Sequence, residues 1–350
     1  MSEAPRWSIL AIVALCSCTG ARSATVGSAE DGALIDEQPC PLPKTYDKLI
    51  ADYQEEFRGE FVSSHLETEF AAHPLTAVFP AAEYTALQTS AQAGRCKRIP
   101  YRSDGLRITG FVLRPAVPPP GKLPAILYAR GGNRDFGRID ERLQLSMQLL
   151  ADEGYVVLAT QLRNADGGEG RDEYGGADVH DLANLVPLAR AMADIDLGRL
   201  YLNGGSRGGM EAFLALRAGL PVRAAAIRAP SSDLRKSTKE RPEMAEVFTE
   251  LIPGYAADPD AAIRQRSAVL FADQIRAPVL LLQAREDWRV PLAHTEALDA
   301  ALTTAGVPHK LIIFDRDIHQ LVLHRVEEAH AIAAWFREHD GGPMSFRDRL

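Results

Sequence analysis

The stretch Tyr201-Leu202-Asn203-Gly204-Gly205-Ser206-Arg207-Gly208-Gly209-Met210 decides the reading of this chain. An apolar strand runs into a Gly-x-Ser-x-Gly turn, and a helical stripe that includes Met210, Phe213 and Leu214 follows. A serine between a strand and a helix needs a tight, strained turn. Gly204 and Gly208 suit it because neither carries a Cβ that would strike the neighbouring backbone. Such a nucleophile elbow exposes the Ser206 hydroxyl at the sheet edge. It also leaves the Arg207 N–H, at the start of the helix, free to meet a developing oxyanion. By itself the five-residue pattern is weak, since about one chain in ten of this length contains it by chance. Its flanks and its downstream partners give it weight.

A serine hydroxyl needs a base to take its proton, and the base needs an acid to hold its tautomer. In this architecture they follow in the order Ser, Asp or Glu, His. Asp287 lies 81 residues after Ser206 in VLLLQAREDWRVP (279–291), just beyond a fully apolar strand. His319 lies 32 residues further on, in the loop DRDIHQ (315–320) behind the strand LIIF. Glu286 is a rival beside Asp287, whereas Asp315 and Asp317 sit too near His319 in sequence to orient it easily. Five other histidines, His294, His309, His324, His330 and His339, occupy helical or surface-like positions, solvated or packed. His180 has the acidic neighbours Asp178 and Asp181 but no second His at ligand spacing, so no metal site is read there and no cofactor is expected.

A second oxyanion donor is expected from the loop in AILYARGGNRDFG (125–137), where Gly131 and Gly132 let backbone approach the substrate. Arg130 has two readings. Its guanidinium points at the oxyanion or a substrate carboxylate, or it pairs with an acid of the loop DGGEGRDEYGG (166–176).

Around these motifs, short β-rich runs alternate with helical stretches from Ile99 onward, which predicts a mostly parallel sheet covered by helices. Strands are expected at 106–113, 125–129, 155–160, 200–203, 224–227, 279–283 and 311–314. One helical stripe is Leu182, Leu185, Val186 and Ala189, and another near the end is Val326, Ala329, Ala333 and Phe336. The polar, proline-containing stretch 231–270 breaks the alternation and reads as a helical cap insertion over the carboxyl ends of the strands. Upstream, Tyr46, Leu49, Ile50, Tyr53 and Phe57 fall at helical spacing, so 25–98 reads as a linker and helical extension, 99–340 as the catalytic domain and 341–350 as a tail.

The segment Trp7–Leu15 is a nine-residue apolar run after Arg6, too short to span a bilayer and suited to a signal peptide over 1–24. Leu15-Cys16-Ser17-Cys18 resembles a lipobox, in which Cys18 would be lipidated. Cys16 is an unusual residue two before the modified Cys, Glu3 weakens the positive n-region, and ordinary cleavage after Ser23 or Ala24 is the alternative. Either route implies export to the bacterial periplasm or cell envelope, with membrane contact only through a lipid anchor. Processing would leave two cysteines, Cys40 and Cys96, for one disulfide. Such a bridge closes a loop of roughly 57 residues and is worth on the order of 4 kcal/mol in the chain-entropy model. The chain of 350 residues carries 39 Lys plus Arg against 47 Asp plus Glu, without a basic run, which argues against a nucleic-acid partner.

Together, YRSDGLRITGFVLRP, LYARGGNRDFG, LNGGSRGGM, APVLLLQAREDWRV and the His319 loop resemble the catalytic domain of prolyl oligopeptidase family serine peptidases, over roughly Ile99 to His339. The resemblance implies an α/β-hydrolase fold, Ser206 as nucleophile, Asp287 and His319 as its partners, and hydrolysis of short peptides or related acyl compounds. Two features depart from the family pattern. Arg130 stands where several members place a tyrosine that donates to the oxyanion, and the ~80 residues ahead of the domain are too few for a β-propeller, a single blade of which takes ~40 or more. A carboxylesterase acting on small esters would share the triad, and a non-catalytic envelope binding protein would share the scaffold. Aminoacyl amides and short-chain esters divide the first two.

Overall fold

A computed structural model describes residues 30–341; the segment 1–24 read as a signal peptide, Cys18 and the residues beyond 341 lie outside the described residues. In chain order the elements are β1 (Gln38–Pro39), α1 (Tyr46–Ser63), α2 (Glu67–Ala72), α3 (Leu75–Val78), α4 (Ala81–Gln92), β2 (Cys96–Ser103), β3 (Leu106–Leu113), β4 (Leu123–Ala129), α5 (Glu141–Asp152) and β5 (Val156–Thr160). They continue with α6 (Val179–Ala183), α7 (Leu185–Arg190), β6 (Ile195–Gly205), α8 (Arg207–Arg217), β7 (Ala225–Arg228), α9 (Leu234–Glu240), α10 (Met244–Leu251) and α11 (Pro259–Arg266). The last four are β8 (Val279–Ala284), α12 (Leu292–Ala305), β9 (His309–Phe314) and α13 (Arg325–Glu338).

The strands form one sheet in the order β1-β2-β3-β5-β4-β6-β7-β8-β9. The first three pairings are antiparallel, and every pairing from β5 to β9 is parallel. Both faces are covered, so the parallel strands are apolar at nearly every position and side chains alternate between two cores. In β4, Leu127 and Ala129 pack into the core with α7 and α8, while Ile126 and Tyr128 pack into the core with α1, α5 and α13. The second core is where the N-terminal layer attaches: Leu49, Tyr53, Phe57 and Phe61 form the buried stripe of α1 and meet α5 and α13. Removing one such side chain, as in Phe57→Ala, costs about 3–5 kcal/mol.

Two sequence expectations change. The sheet begins at Cys96, inside the segment read as a helical extension over 25–98, and Gln38–Pro39 adds an edge strand to it. Pro100 and the charged Lys97, Arg98 and Arg102 obscure the strand pattern of β2, but Pro100 faces Thr109 in the antiparallel ladder and the strand survives. In α13 the buried stripe is Ala329, Ile332, Ala333 and Phe336, and Val326 turns outward at 37% exposure. Segment 231–270 folds as α9, α10 and α11 with a short 3-10 turn, on the chain leaving the carboxyl end of β7.

Candidate active site

The site is assembled at one edge of the sheet because β6, β7, β8 and β9 are adjacent and parallel. Ser206 follows β6 directly, Asp287 comes three residues after β8, and His319 comes five residues after β9. Their carboxyl ends open into the same space.

Ser206 has φ 57° and ψ −124°, a left-handed conformation that costs a non-glycine residue on the order of 1–3 kcal/mol. The turn closes only because its flanks lack side chains. A Cβ on Gly208 would lie 2.1 Å from the Ala129 carbonyl oxygen, and one on Gly204 would lie 2.7 Å from the Gly208 carbonyl oxygen. Backbone bonds hold the strained turn: the Ser206 N–H donates to Arg228 O (2.9 Å) and the Ser231 N–H donates to Ser206 O (3.1 Å).

His319 Nδ1 lies 2.7 Å from Asp287 Oδ2, with both side chains buried. Asp287 accepts three further bonds, from the N–H of Arg289 (2.9 Å), the N–H of Val290 (2.9 Å) and Gln283 Nε2 (3.0 Å). The rival acids are engaged elsewhere. Glu286 accepts from the Arg316 N–H, Asp315 pairs with Arg285, and Asp317 accepts from the N–H groups of Leu323 and His324 and from His324 Nδ1. Among the described residues the Ser206 hydroxyl makes no hydrogen bond, so the structure pairs His319 with Asp287 without a bond from Ser206 to the pair.

Arg228, the last residue of β7, joins the serine and histidine loops. Its guanidinium packs against Gly205, donates to Gln320 O (3.3 Å) beside His319, and pairs with Glu328 of α13 (3.1 Å).

Gly131 lies against Ser206, since a Cβ there would come within 3.3 Å of the Ser206 Cβ. The N–H groups of Gly132 and Arg207 have no backbone partner among the described residues. The approach of Gly131 to Ser206 brings together the two segments that carry these N–H groups. The Arg207 side chain supports the same loop from below. It donates to Gly132 O (3.1 Å), makes a bidentate pair with Asp172 (2.7 Å to each oxygen), bonds Asp178 and Glu211, and stacks on Tyr174 at 4.7 Å. Burial alone would lower the Arg207 guanidinium, but Asp178, Asp172 and Glu211 outweigh it and hold the cation. Glu211 is pushed well above the carboxylate range by burial and by Asp178.

Both readings of Arg130 are corrected. It is fully buried and spends its donors on backbone carbonyls: Gln161 O (2.6 Å), Gly131 O (3.0 Å), Phe136 O (2.9 Å) and Arg134 O. It pins the 131–136 loop from inside rather than facing a substrate. The acid Asp172 in the 166–176 loop is taken by Arg207 instead. Burial lowers the Arg130 pKa to about 10. His180 bonds Asp104 (2.8 Å), while buried His294 pairs with Glu240 (2.6 Å) at a pocket beside the site.

Sequence reasoning missed Gln283, Arg228 and the Asp172–Asp178–Glu211 cluster. Gln283 carried a signal: a lone amide in an otherwise apolar strand must find partners, and it bonds Asp287, Val290 O and Thr295. Cys40 and Cys96 form a disulfide with a Cα–Cα distance of 5.3 Å, tying the start of the N-terminal layer to β2.

Residues 141–342 match the model of the prolyl oligopeptidase family. Among curated proteins, the uncharacterized peptidase YtmA of Bacillus subtilis is 28% identical over 215 residues, covering 61% of this chain and 82% of that protein. Human acylamino-acid-releasing enzyme is 26% identical over 261 residues, covering 68% of this chain but 34% of the enzyme. Among solved structures, an acylaminoacyl peptidase of Pyrococcus horikoshii aligns with a TM-score of 0.61 at 21% identity, over 73% of this chain and 43% of that one. A puromycin-hydrolyzing peptidase of Mycobacterium tuberculosis aligns with a TM-score of 0.61 at 24% identity, over 70% and 40%. The chain therefore spans less than half of each of these three longer relatives, and the shared fold is that of α/β-hydrolase peptidases.

Proposed function

The chain belongs to the prolyl oligopeptidase family of serine peptidases, and on that premise we propose that it hydrolyses short peptides or aminoacyl compounds through an acyl-enzyme on Ser206. The observation that carries the reading is the 2.7 Å contact of His319 with Asp287 at the same strand edge that presents Ser206. With Nδ1 held by Asp287, Nε2 is the nitrogen left to act as base.

In the proposed first step, His319 Nε2 takes the Ser206 proton as Oγ bonds the substrate carbonyl carbon, and the carbonyl π electrons move onto its oxygen. The N–H groups of Arg207 and Gly132 receive that charge. As the tetrahedral intermediate collapses, the C–N bond breaks and imidazolium passes its proton to the departing amine, leaving the acyl-serine. Water then repeats the sequence: His319 takes its proton, hydroxide adds to the ester carbon, and the proton returns to Ser206 Oγ as the acid leaves. Asp287 stabilises imidazolium in both halves and keeps its own charge.

Export belongs to this proposal. The apolar run 7–15 and the Cys40–Cys96 bridge both suit an oxidising envelope compartment, reached by ordinary cleavage or by lipidation at Cys18. The test is a fluorophosphonate probe together with a panel of aminoacyl amides and short-chain esters. Covalent labelling at Ser206 with turnover of the amides is the expected result, esters alone would make the protein an esterase, and an unlabelled, inert protein overturns the reading.

A further inference from the structure

The N-terminal layer holds one acidic side chain that packing alone does not explain. Glu60, in the last turn of α1, is 7% exposed and receives three bonds from a loop 228 and 229 residues away. Trp288 Nε1 donates to it at 2.9 Å and Arg289 Nε at 2.9 Å, and Arg289 Nη2 closes the pair. Trp288 and Arg289 follow the candidate acid Asp287 directly. A carboxylate this buried needs such partners, because unpaired it would lose several kcal/mol of solvation.

The same arginine faces the site. Arg289 lines a small pocket, open to solvent, with Tyr174, Ser231, Arg241, Val290 and His294. Two walls of the pocket are bonded to the proposed machinery: the Ser231 N–H donates to Ser206 O (3.1 Å) and the Val290 N–H to Asp287 Oδ1 (2.9 Å). Beyond Glu60, the Arg289 guanidinium lies over the rings of Trp288 at 4.8 Å and Phe136 at 5.6 Å, and its charge reaches the Glu243 carboxylate. Its Nη1 has no protein acceptor among the described residues. Asp287, by contrast, keeps its own bonds from two backbone N–H groups and Gln283, none of which involves Glu60.

The layer is also anchored around the histidine loop. Glu69 of α2 lies 3.5 Å from Arg316, and Val78 O and Glu83 take Arg325 at the head of α13. The disulfide fixes its other end.

We propose that Glu60 is a positioning residue of the active site: from the N-terminal layer it aims Arg289 into the substrate pocket, so the layer contributes to substrate affinity. This rests on Ser206 being the nucleophile. Because Asp287 is held independently, loss of Glu60 acts on binding and leaves the reactivity of Ser206 in place.

The experiment uses Glu60→Gln, Glu60→Asp, Arg289→Met and the Glu60→Gln/Arg289→Met double variant of the full chain. It reads KM and kcat on aminoacyl p-nitroanilides, fluorophosphonate labelling of Ser206, and thermal melting. Glu60→Gln is expected to raise KM ~10-fold with kcat and labelling rate within ~3-fold, Glu60→Asp to recover part of the loss, and the double variant to be no worse than Arg289→Met. An unchanged KM in Glu60→Gln overturns the proposal while wild-type labelling stands. So does a loss of activity that merely tracks the unfolded fraction. Failure to label wild-type Ser206 is a different result, visible without any variant, and takes the serine mechanism down together with this proposal.

Discussion

His319 Nδ1 lies 2.7 Å from Asp287 Oδ2, a contact made across 32 residues by loops leaving two neighbouring parallel strands. A bond at this place orients one imidazole nitrogen and reserves the other for proton transfer. Ser206→Ala, His319→Ala and Asp287→Asn should each lower turnover by ~10³-fold or more, and Ser206→Ala/His319→Ala should be little worse than either single change. Steady-state kinetics on aminoacyl amides checks this. Full activity in Ser206→Ala would end the serine mechanism, whereas a dispensable Asp287 with an essential Glu286 would move only the acid.

Gln283 is a second handle on the acid. Its Nε2 donates to Asp287 Oδ2 and Val290 O, and its Oε1 accepts from Thr295 at 2.7 Å. Gln283→Leu removes these bonds from buried groups, although Asp287 keeps His319 and two backbone N–H groups, and should cost about 2–3 kcal/mol of stability and lower kcat ~10-fold with little change in KM. Urea unfolding and kinetics measured together decide it, and an unchanged kcat would show that the backbone N–H groups suffice.

Arg130→Met should act on stability rather than on substrate choice. The change strips donors from four backbone carbonyls, that of Gln161 buried and those of Gly131, Arg134 and Phe136 part-buried, and should cost about 3 kcal/mol. The ratio of kcat/KM for a carboxylate-bearing substrate to that for its neutral analogue should stay constant. A selective loss on the carboxylate substrate would restore the guanidinium to the site.

Reduction of the Cys40–Cys96 bridge should loosen the N-terminal layer first, since the bond ties the chain ahead of α1 to β2. Cys40→Ser/Cys96→Ser is expected to lose about 2–4 kcal/mol of stability. Thiol titration of denatured, unreduced mature protein should find none of these two thiols free.

The His319 loop carries a pH dependence through His324. Hydrogen bonding to Asp317 raises the His324 pKa above its ordinary value of 6.5. A raised folded-state value means stabilisation that is fully present below about 6.5 and lost as pH rises through the higher folded value. His324→Gln lacks that dependence, so its melting deficit relative to wild type should shrink between pH 6 and pH 9, by ~1–2 °C for a part-exposed imidazole on a buried carboxylate. A deficit that does not change with pH would assign the loop's stability to the backbone bonds of Asp317 alone.

Much of the fold was legible because its signals are local. Apolar runs of strand length, helical spacing and the glycines around Ser206 act within a few residues, and the sheet places its parallel strands on those runs. Strand β2 was not legible, because Pro100 and its charged neighbours mimic a linker and only pairing with β3 makes the segment a strand. In the candidate site, the sequence alone determined the strained turn at Ser206 and the order in which Asp287 and His319 follow, since turn chemistry and chain order are properties of the chain itself. It favoured Asp287 over Glu286, Asp315 and Asp317, but could not show which of these carboxylates meets the His319 imidazole. Nor could it show that Arg130 spends its donors on carbonyls, that Arg207 takes Asp172, or that Glu60 reaches Arg289. The tertiary structure decided these, because the order β6-β7-β8-β9 and the docking of α1 set which distant groups share a few ångströms. A buried charge takes whichever partner the fold places beside it, because an unpaired one costs several kcal/mol.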